Sequence, residues 1–379
     1  MINFDLKLFS KKLNNLINDY EFTLDELYNK CRINRDRLNG FINARVMPLG
    51  DEVLILSDVF SIDYYYFLSN ETKSPIDKTQ KFFRANGNIL TKNDKRSIAE
   101  TLYAAEFAIT IQRKNGFIPQ IFTPKTTARN HVAQGKIVAY QLREQLEIKL
   151  TETEINPFKV VRDLGIQIFR RKLTNSKISG IHMENPNTGK IILINHFDDV
   201  YRQNFSVLHE LAHSIFDSNS EYQISMDDDI SNSQKKEAEW RANSFASNFL
   251  IPCDLALALK DKWKGDEEYI ELANRLTVNP ITLAFSLKKN GVISKEDCNY
   301  LSKLKIPKEK KIDPELKGLS TNGMKRIKEL HSHGISFYFL KLSYEAYLKD
   351  IISFSKLSEV LMINEKEIEK LIIDMGWVI

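Results

Sequence analysis

The segment Phe205-Ser-Val-Leu-His-Glu-Leu-Ala-His-Ser-Ile-Phe216 carries the residue types and spacing with which this chain could do chemistry. On a helix turning about 100° per residue, His209 and His213 stand one turn apart on one face, with Glu210 on its flank. Val207, Leu208, Leu211, Ala212, Ile215 and Phe216 fill the remaining arc, so two imidazoles and one carboxylate interrupt an apolar surface. Neutral imidazoles at i and i+4 suit zinc, and the adjoining Glu is placed to deprotonate a water that the metal activates. The chemistry implied is zinc-assisted hydrolysis with Glu210 as the catalytic base.

A hydrolytic zinc keeps three protein ligands and one open position. The helical run Lys236 to Leu250, stopped by Ile251-Pro252, offers two carboxylates. Glu239 shares an arc with Ala242, Ala246 and Leu250, whose small or apolar side chains would let this helix approach the histidine helix closely. Glu237 falls on the opposite arc with Arg241, Ser244 and Asn248, where an i,i+4 ion pair on a solvated face accounts for it. Glu239 is therefore preferred as the third ligand beside His209 and His213. His182 and His196 are near enough in the chain to be considered as a second oxyanion donor, although an ordinary strand or surface histidine explains each. His131, His331 and His333 have no motif around them.

The elements that must position these groups can be read from periodicity. Short β-branched runs at Gly165–Phe169, Ile178–Met183 and Lys190–Ile194, separated by turn residues, predict a small sheet with a hairpin. If the run Ile178–Met183 is the sheet edge facing the cleft, an extended peptide could pair with it. Helix-period apolar positions recur at Leu6, Phe9, Leu13 and Leu16, at Leu24, Leu27 and Tyr28, and at Val53, Leu54, Leu56 and Phe60. Thr91 followed by Asp94 predicts a helix start, with an apolar face from Ile98 to Ile111, and another helix is expected over about 136 to 150. The expected fold class is mainly α with a small β-sheet (α+β). Its expected parts are a helical module over residues 1–70, a helical connector over 71–135, a metal-binding domain over 136–302 and a small helical module over 320–379. The polar stretch Ser69–Pro75 and the Lys- and Pro-containing stretch Lys303–Lys317 read as linkers. Asp227 to Asp229 read as a solvated connection between the two helices of the site.

Composition bounds the setting. The 379 residues, 42% hydrophobic and 27% charged, are ordinary for a folded chain of two or three domains. No apolar run reaches the ~18 residues that a membrane helix needs, and the N-terminus lacks the pattern of a secretory signal. A cytoplasmic protein without a membrane partner is expected. Cys31, Cys253 and Cys298 are too scattered for a disulfide framework or a cysteine zinc site. The net charge of +4 points to no partner by itself, and no oligomeric state follows from the pattern.

The run Arg202 to His213, followed by Glu239-Trp-Arg-Ala-Asn-Ser-Phe-Ala-Ser-Asn-Phe-Leu-Ile-Pro252, resembles the ImmA/IrrE family of metallopeptidases. Gly180-Ile181 and Ile191 to Asn195 look like that family's paired strands, and Leu272 to Leu287 look like its closing helices, so the resemblance covers roughly residues 140 to 300. It implies a thermolysin-like minimal zincin core that cleaves a DNA-binding repressor of the XRE type or an antitoxin-like protein, an activity met in phages, mobile elements and stress responses.

Thr23 to Pro48 looks like the helix-turn-helix of the Cro/repressor (XRE) class, with Leu27, Ile33, Leu38, Phe41 and Pro48 at that class's apolar and terminating positions. Five basic residues against Asp36 between Tyr28 and Pro48 suit phosphates, and Arg35, Arg37, Asn39 and Arg45 are the candidate DNA contacts. Two features depart from that pattern: Tyr28 stands where a small residue is usual, and Arg32 stands where the turn usually has glycine. A protein-interaction or dimerisation module is the alternative to DNA binding. Ile351 to Ile368 faintly resembles a second helix-turn-helix, with a packing module preferred. Two other readings of the whole chain stand beside the peptidase: a DNA-binding regulator whose metal domain acts as a sensor, and a toxin–antitoxin or phage-defence component.

Overall fold

The computed structural model describes residues 4–60, 62, 64–69, 89–185, 188–217, 222–226 and 233–377. The chain is mainly α-helical with one small sheet, and it divides into two compact units, Met1–Ala104 and Ala105–Ile379. Among the described residues no helix is long and apolar enough to cross a membrane. Most of the stretch read as the first linker, and Asp227 to Asp229, lie outside the described residues.

In the first unit, α1 (Leu6–Asp19), α2 (Leu24–Cys31), α3 (Arg35–Ile42), α4 (Gly50–Phe60) and α5 (Tyr65–Leu68) enclose Phe9, Leu13, Leu27, Leu38, Phe41, Leu56 and Phe60. The turn from α2 to α3 holds Arg32 in the left-handed region at φ 56°, where a glycine would be unstrained. The helix α6 (Lys92–Lys114) starts where the sequence places it. Thr91 Oγ1 accepts from the Asp94 backbone N–H (3.2 Å), and the Asp94 carboxylate accepts from that of Thr91 (2.9 Å).

In the second unit, α7 (His131–Gln145) and α8 (Pro157–Asp163) precede the strands β1 (Gln167–Arg171), β2 (Ile178–Asn185) and β3 (Gly189–Asn195). There follow α9 (Val200–Phe216), β4 (Tyr222–Met226) and α10 (Ser233–Leu250), then α11 (Cys253–Ala258), α12 (Asp266–Arg275), α13 (Pro280–Lys289) and α14 (Lys295–Leu301). The unit ends with α15 (Thr321–His331), α16 (Phe337–Leu348), α17 (Phe354–Leu361) and α18 (Glu365–Asp374). The strand order is β1-β3-β2-β4, with β1 and β3 parallel and the other pairs antiparallel. Leu208, Leu211, Phe245, Phe249, Tyr269 and Leu283 are buried in one core with Ile192 and Ile194 of the sheet.

Three expectations are corrected. The strand read as a possible sheet edge, β2, is bonded on both sides, and β4, which lacked a recognisable pattern, lies outermost next to it. The arc of α10 that carries Glu237 is no solvated face: Ser244 and Asn248 are buried, Glu237 meets His131 (3.1 Å), and Arg241 pairs with Asp217 instead of Glu237. This arc packs on α7 so closely that a Cβ on Gly135 would lie 2.3 Å from the Arg241 carbonyl oxygen. Nor is Lys303–Lys317 a loose linker. Ile306 and Leu316 are buried, and Asp313 and Glu315 bond Arg170 of β1 at 2.7 and 2.6 Å, while Glu315 also bonds Arg162.

Three enclosed histidines give this unit a defined acid response. Burial lowers His182 to about 4, with the Lys190 charge adding to it. Burial and Arg170 lower His196 to about 4 and His331 to about 3. An unfolded chain protonates each near pH 6.5, so below that value the unfolded state takes up protons that the native state refuses. Each histidine therefore supports the fold fully above pH 6.5 and withdraws about 1.4 kcal/mol per unit as pH falls toward its native value. Urea midpoints measured from pH 6.5 to 5 are expected to drop steadily. A flat profile would show that these rings are not held neutral.

Candidate metal centre

Asp199 caps α9, its carboxylate accepting from the Tyr201 backbone N–H (3.0 Å). Val207, Leu208, Leu211 and Ala212 anchor the helix in the core, which fixes its rotation and aims His209 and His213 at α10. There the imidazole Nε2 atoms of His209 and His213 lie 3.0 Å apart, and Glu239 brings its two oxygens to 3.1 Å from His209 Nε2 and 3.3 Å from His213 Nε2. A tetrahedral zinc with bonds of about 2.0–2.1 Å spaces its donors about 3.3 Å apart, so the three groups are arranged as corners around one ion. Two imidazoles and one carboxylate are also a donor set that zinc favours. His213 is fully buried, and the Glu239 side chain retains 30% of its exposure, so the cluster opens to solvent on the Glu239 side.

The remaining ring nitrogens are held from behind. His209 Nδ1 meets Asn243 Oδ1 (3.1 Å), and His213 Nδ1 meets an Asp217 carboxylate oxygen (2.8 Å). With Nδ1–H donating to these oxygens, each Nε2 turns its lone pair toward the shared point. Burial alone would lower His213, but Asp217 and Glu239 outweigh it and push it up to about 10. Burial would raise Glu239, but His209 and His213 hold it well below the usual carboxylate range. The site thus favours positive charge at its centre, which a divalent cation supplies more fully than a proton does.

Glu210 is fully buried beside the two histidines of the cluster, and its carboxylate lies against β2 at Gly180. A Cβ at Gly180 would stand 2.6 Å from Glu210 Oε1 and 2.7 Å from its Cγ, so the absence of a side chain there is what admits the acid. The sequence reading missed Gly180 in this role, together with Asp217, Arg241 and Asn243. Two of these had a local signal: Asp217 continues the i,i+4 series of His209 and His213, and Asn243 stands at i+4 from Glu239.

The other histidines stand outside this cluster of three. His182 is enclosed on β2, and neither of its ring nitrogens has a hydrogen-bond partner among the described residues. His196 faces the His331 ring (6.1 Å) near the Arg170 cluster. In the first unit, the Arg35 side chain is 61% exposed, pairing with Asp25 (2.8 Å) over the Tyr28 ring. Asn39 and Arg45 are exposed as well. The guanidinium fork of Arg37, the remaining candidate, is filled by Glu52 at the start of α4 at 2.5 and 2.6 Å.

Residues 161–288 match the family model of the IrrE N-terminal-like domain (Peptidase_M78). No curated protein matches the chain. The matched span runs from the end of α8 into α13 and contains both helices of the cluster, so the part of this chain that brings His209, His213 and Glu239 together is similar to a peptidase domain of the ImmA/IrrE type.

Proposed function

We propose that this chain is a zinc-dependent peptidase that cleaves a DNA-binding repressor or an antitoxin-like protein. The observation that carries the reading is the convergence of His209, His213 and Glu239 at tetrahedral spacing within a span similar to a peptidase domain. Zinc held by these three residues would acidify a water and polarise the scissile carbonyl. Glu210 accepts the proton of the attacking water and returns it to the leaving amine. Gly180 keeps Glu210 within reach, and Asn243 and Asp217 keep the imidazoles in the required tautomer. An extended substrate segment would add to the sheet along β4, the outermost strand on the β2 side, in place of the β2 edge first expected. The first unit brings the enzyme to its protein substrate or to the DNA on which that substrate sits.

The test is metal content together with turnover. Purified chain is expected to carry one zinc and to cut a co-expressed repressor-type partner into a fragment that disappears with chelator and returns with zinc. A chain that binds no zinc, or a fragment indifferent to chelator, would defeat the reading. Exposed Arg35, Asn39 and Arg45 favour the second reading, a DNA-binding regulator whose metal domain senses without cutting, or which serves in a toxin–antitoxin or phage-defence system. In that case zinc would bind and no fragment would form.

A further inference from the structure

We infer that Arg241 is a positioning residue for the metal centre, setting zinc affinity through Asp217 and His213; this rests on the metal reading above. Asp217 ends α9 as its C-cap, a place where the helix dipole disfavours a carboxylate. Each of its two oxygens nevertheless meets a basic group among the described residues. One meets His213 Nδ1 at 2.8 Å, and the other meets Arg241 Nη2 at 2.5 Å. Arg241 supplies the opposing charge that makes a carboxylate tenable at that helix end, and it fixes which way the carboxylate turns.

The guanidinium is itself held in place. It lies over the Phe216 ring (4.6 Å), and its Nη1 reaches Gln134 Oε1 (3.4 Å) and His131 Nδ1 (3.5 Å) in the first turn of α7. Gln134 in turn donates to the Ala128 carbonyl oxygen (2.8 Å). The chain of contacts therefore runs from the segment before α7, through Arg241 and Asp217, to the Nδ1 of a fully buried ligand. His209 is oriented differently, by the neutral amide of Asn243 on the same helix as Glu239. His213 is the ligand whose orientation depends on a charged pair spanning two helices. Partners that orient a ligating histidine change metal affinity by about 10–100-fold when removed.

The experiment compares zinc affinity, measured by competition with a chromophoric chelator, in wild type, Arg241→Gln, Asp217→Asn and the double variant. Arg241→Gln is expected to weaken zinc by 10-fold or more, within the ~10–100-fold range for orienting partners, with an unchanged urea midpoint in excess zinc. Arg241→Lys keeps the charge facing Asp217 and should recover part of the loss. It also serves as the readout if the Gln variant does not fold. Because Arg241 acts through Asp217, the double variant should be no weaker than Asp217→Asn alone. Cobalt-substituted protein should show a displaced visible spectrum in Arg241→Gln, a signature that a merely structural role would not move. If wild type binds one zinc and Arg241→Gln binds it equally well, or if the two losses multiply, the inference fails and the metal reading stands. If wild type binds none, the metal reading fails and takes the inference with it.

Discussion

Glu210→Gln is expected to lower cleavage by about 10²–10⁴-fold while zinc content stays at one ion per chain. Glutamine keeps the length and shape of the side chain, so its packing against Gly180 survives, but it has no oxygen basic enough to take a proton from water. The proposed ligands, His209 and His213 on α9 and Glu239 on α10, are untouched. Gly180→Ala offers a second route to the same loss. Glycine is not required there for backbone reasons, since Gly180 is not among the residues with positive φ. The new methyl would instead meet Glu210 Oε1 at 2.6 Å, on a strand bonded on both sides and unable to retreat. Glu210 must then swing away, and a displacement of about 1 Å at a reacting group can cost about 10²-fold. Initial rates on the cleaved partner, with zinc measured on the same samples, check both. A Glu210→Gln enzyme that cuts at the wild-type rate would remove hydrolysis by this centre, whatever its zinc content.

What the sequence disclosed about this centre follows the distance over which each interaction acts. The pair His209 and His213 is local, set by one helical turn, and the choice of Glu239 over Glu237 needed only the projection of one more helix. Helix starts at Thr91 and Asp199 depend on residues within three positions, and the first of these was legible for that reason. The misses are pairings between distant segments. Nothing in the polar composition of Lys303–Lys317 reveals that Asp313 and Glu315 meet Arg170, because that arginine sits within a strand more than a hundred residues earlier. The bond from Arg37 to Glu52 is of the same kind: both lie on exposed-looking arcs, and only the folded unit brings them together. Strand β4 is five residues long and pairs with a strand on the far side of α9, so it carries no hairpin signal. Gly180 shows the limit from the other direction, since a glycine required by a neighbour's close approach looks in sequence like any other.

Arg170→Met is expected to destabilise the second unit by about 3–5 kcal/mol, the cost of leaving buried charge without its counter-charge. Arg170 is 2% exposed; it bonds Asp313 at 2.7 and 3.0 Å and Glu315 at 2.6 and 3.0 Å, with its guanidinium 4.3 Å over the Phe158 ring. Methionine fills comparable volume and keeps the contact with Phe158, so the loss is electrostatic and not a cavity. It leaves Asp313 and Glu315 enclosed together, with Arg162 still bonded to Glu315. The acid limb tells this apart from a packing defect. Burial would raise Glu315, but Arg162 and Arg170 lower it to about 2. Its stabilising share is therefore present above the unfolded value of about 4.3 and is lost as pH falls toward 2. Without Arg170 the native value of Glu315 must rise, and that share shrinks or reverses. Urea midpoints at pH 7 should fall for Arg170→Met, and the variant's midpoint should fall less steeply than wild type's between pH 4.5 and 3. Replacing Asp313 and Glu315 by leucines in the same chain should recover much of the stability, because an apolar substitute for a whole buried ion cluster is often no worse than the cluster. A single Arg170→Met change costing less than about 1 kcal/mol would mean that water reaches these carboxylates. The stretch Lys303–Lys317 would then be the loose linker that its composition suggested. If the full cost appears, β1 and the stretch Lys303–Lys317 are bound into one cooperative body, and since β1 is paired along its length with β3, the strand leading into α9, the stability of the helix that carries His209 and His213 depends in part on residues beyond 302.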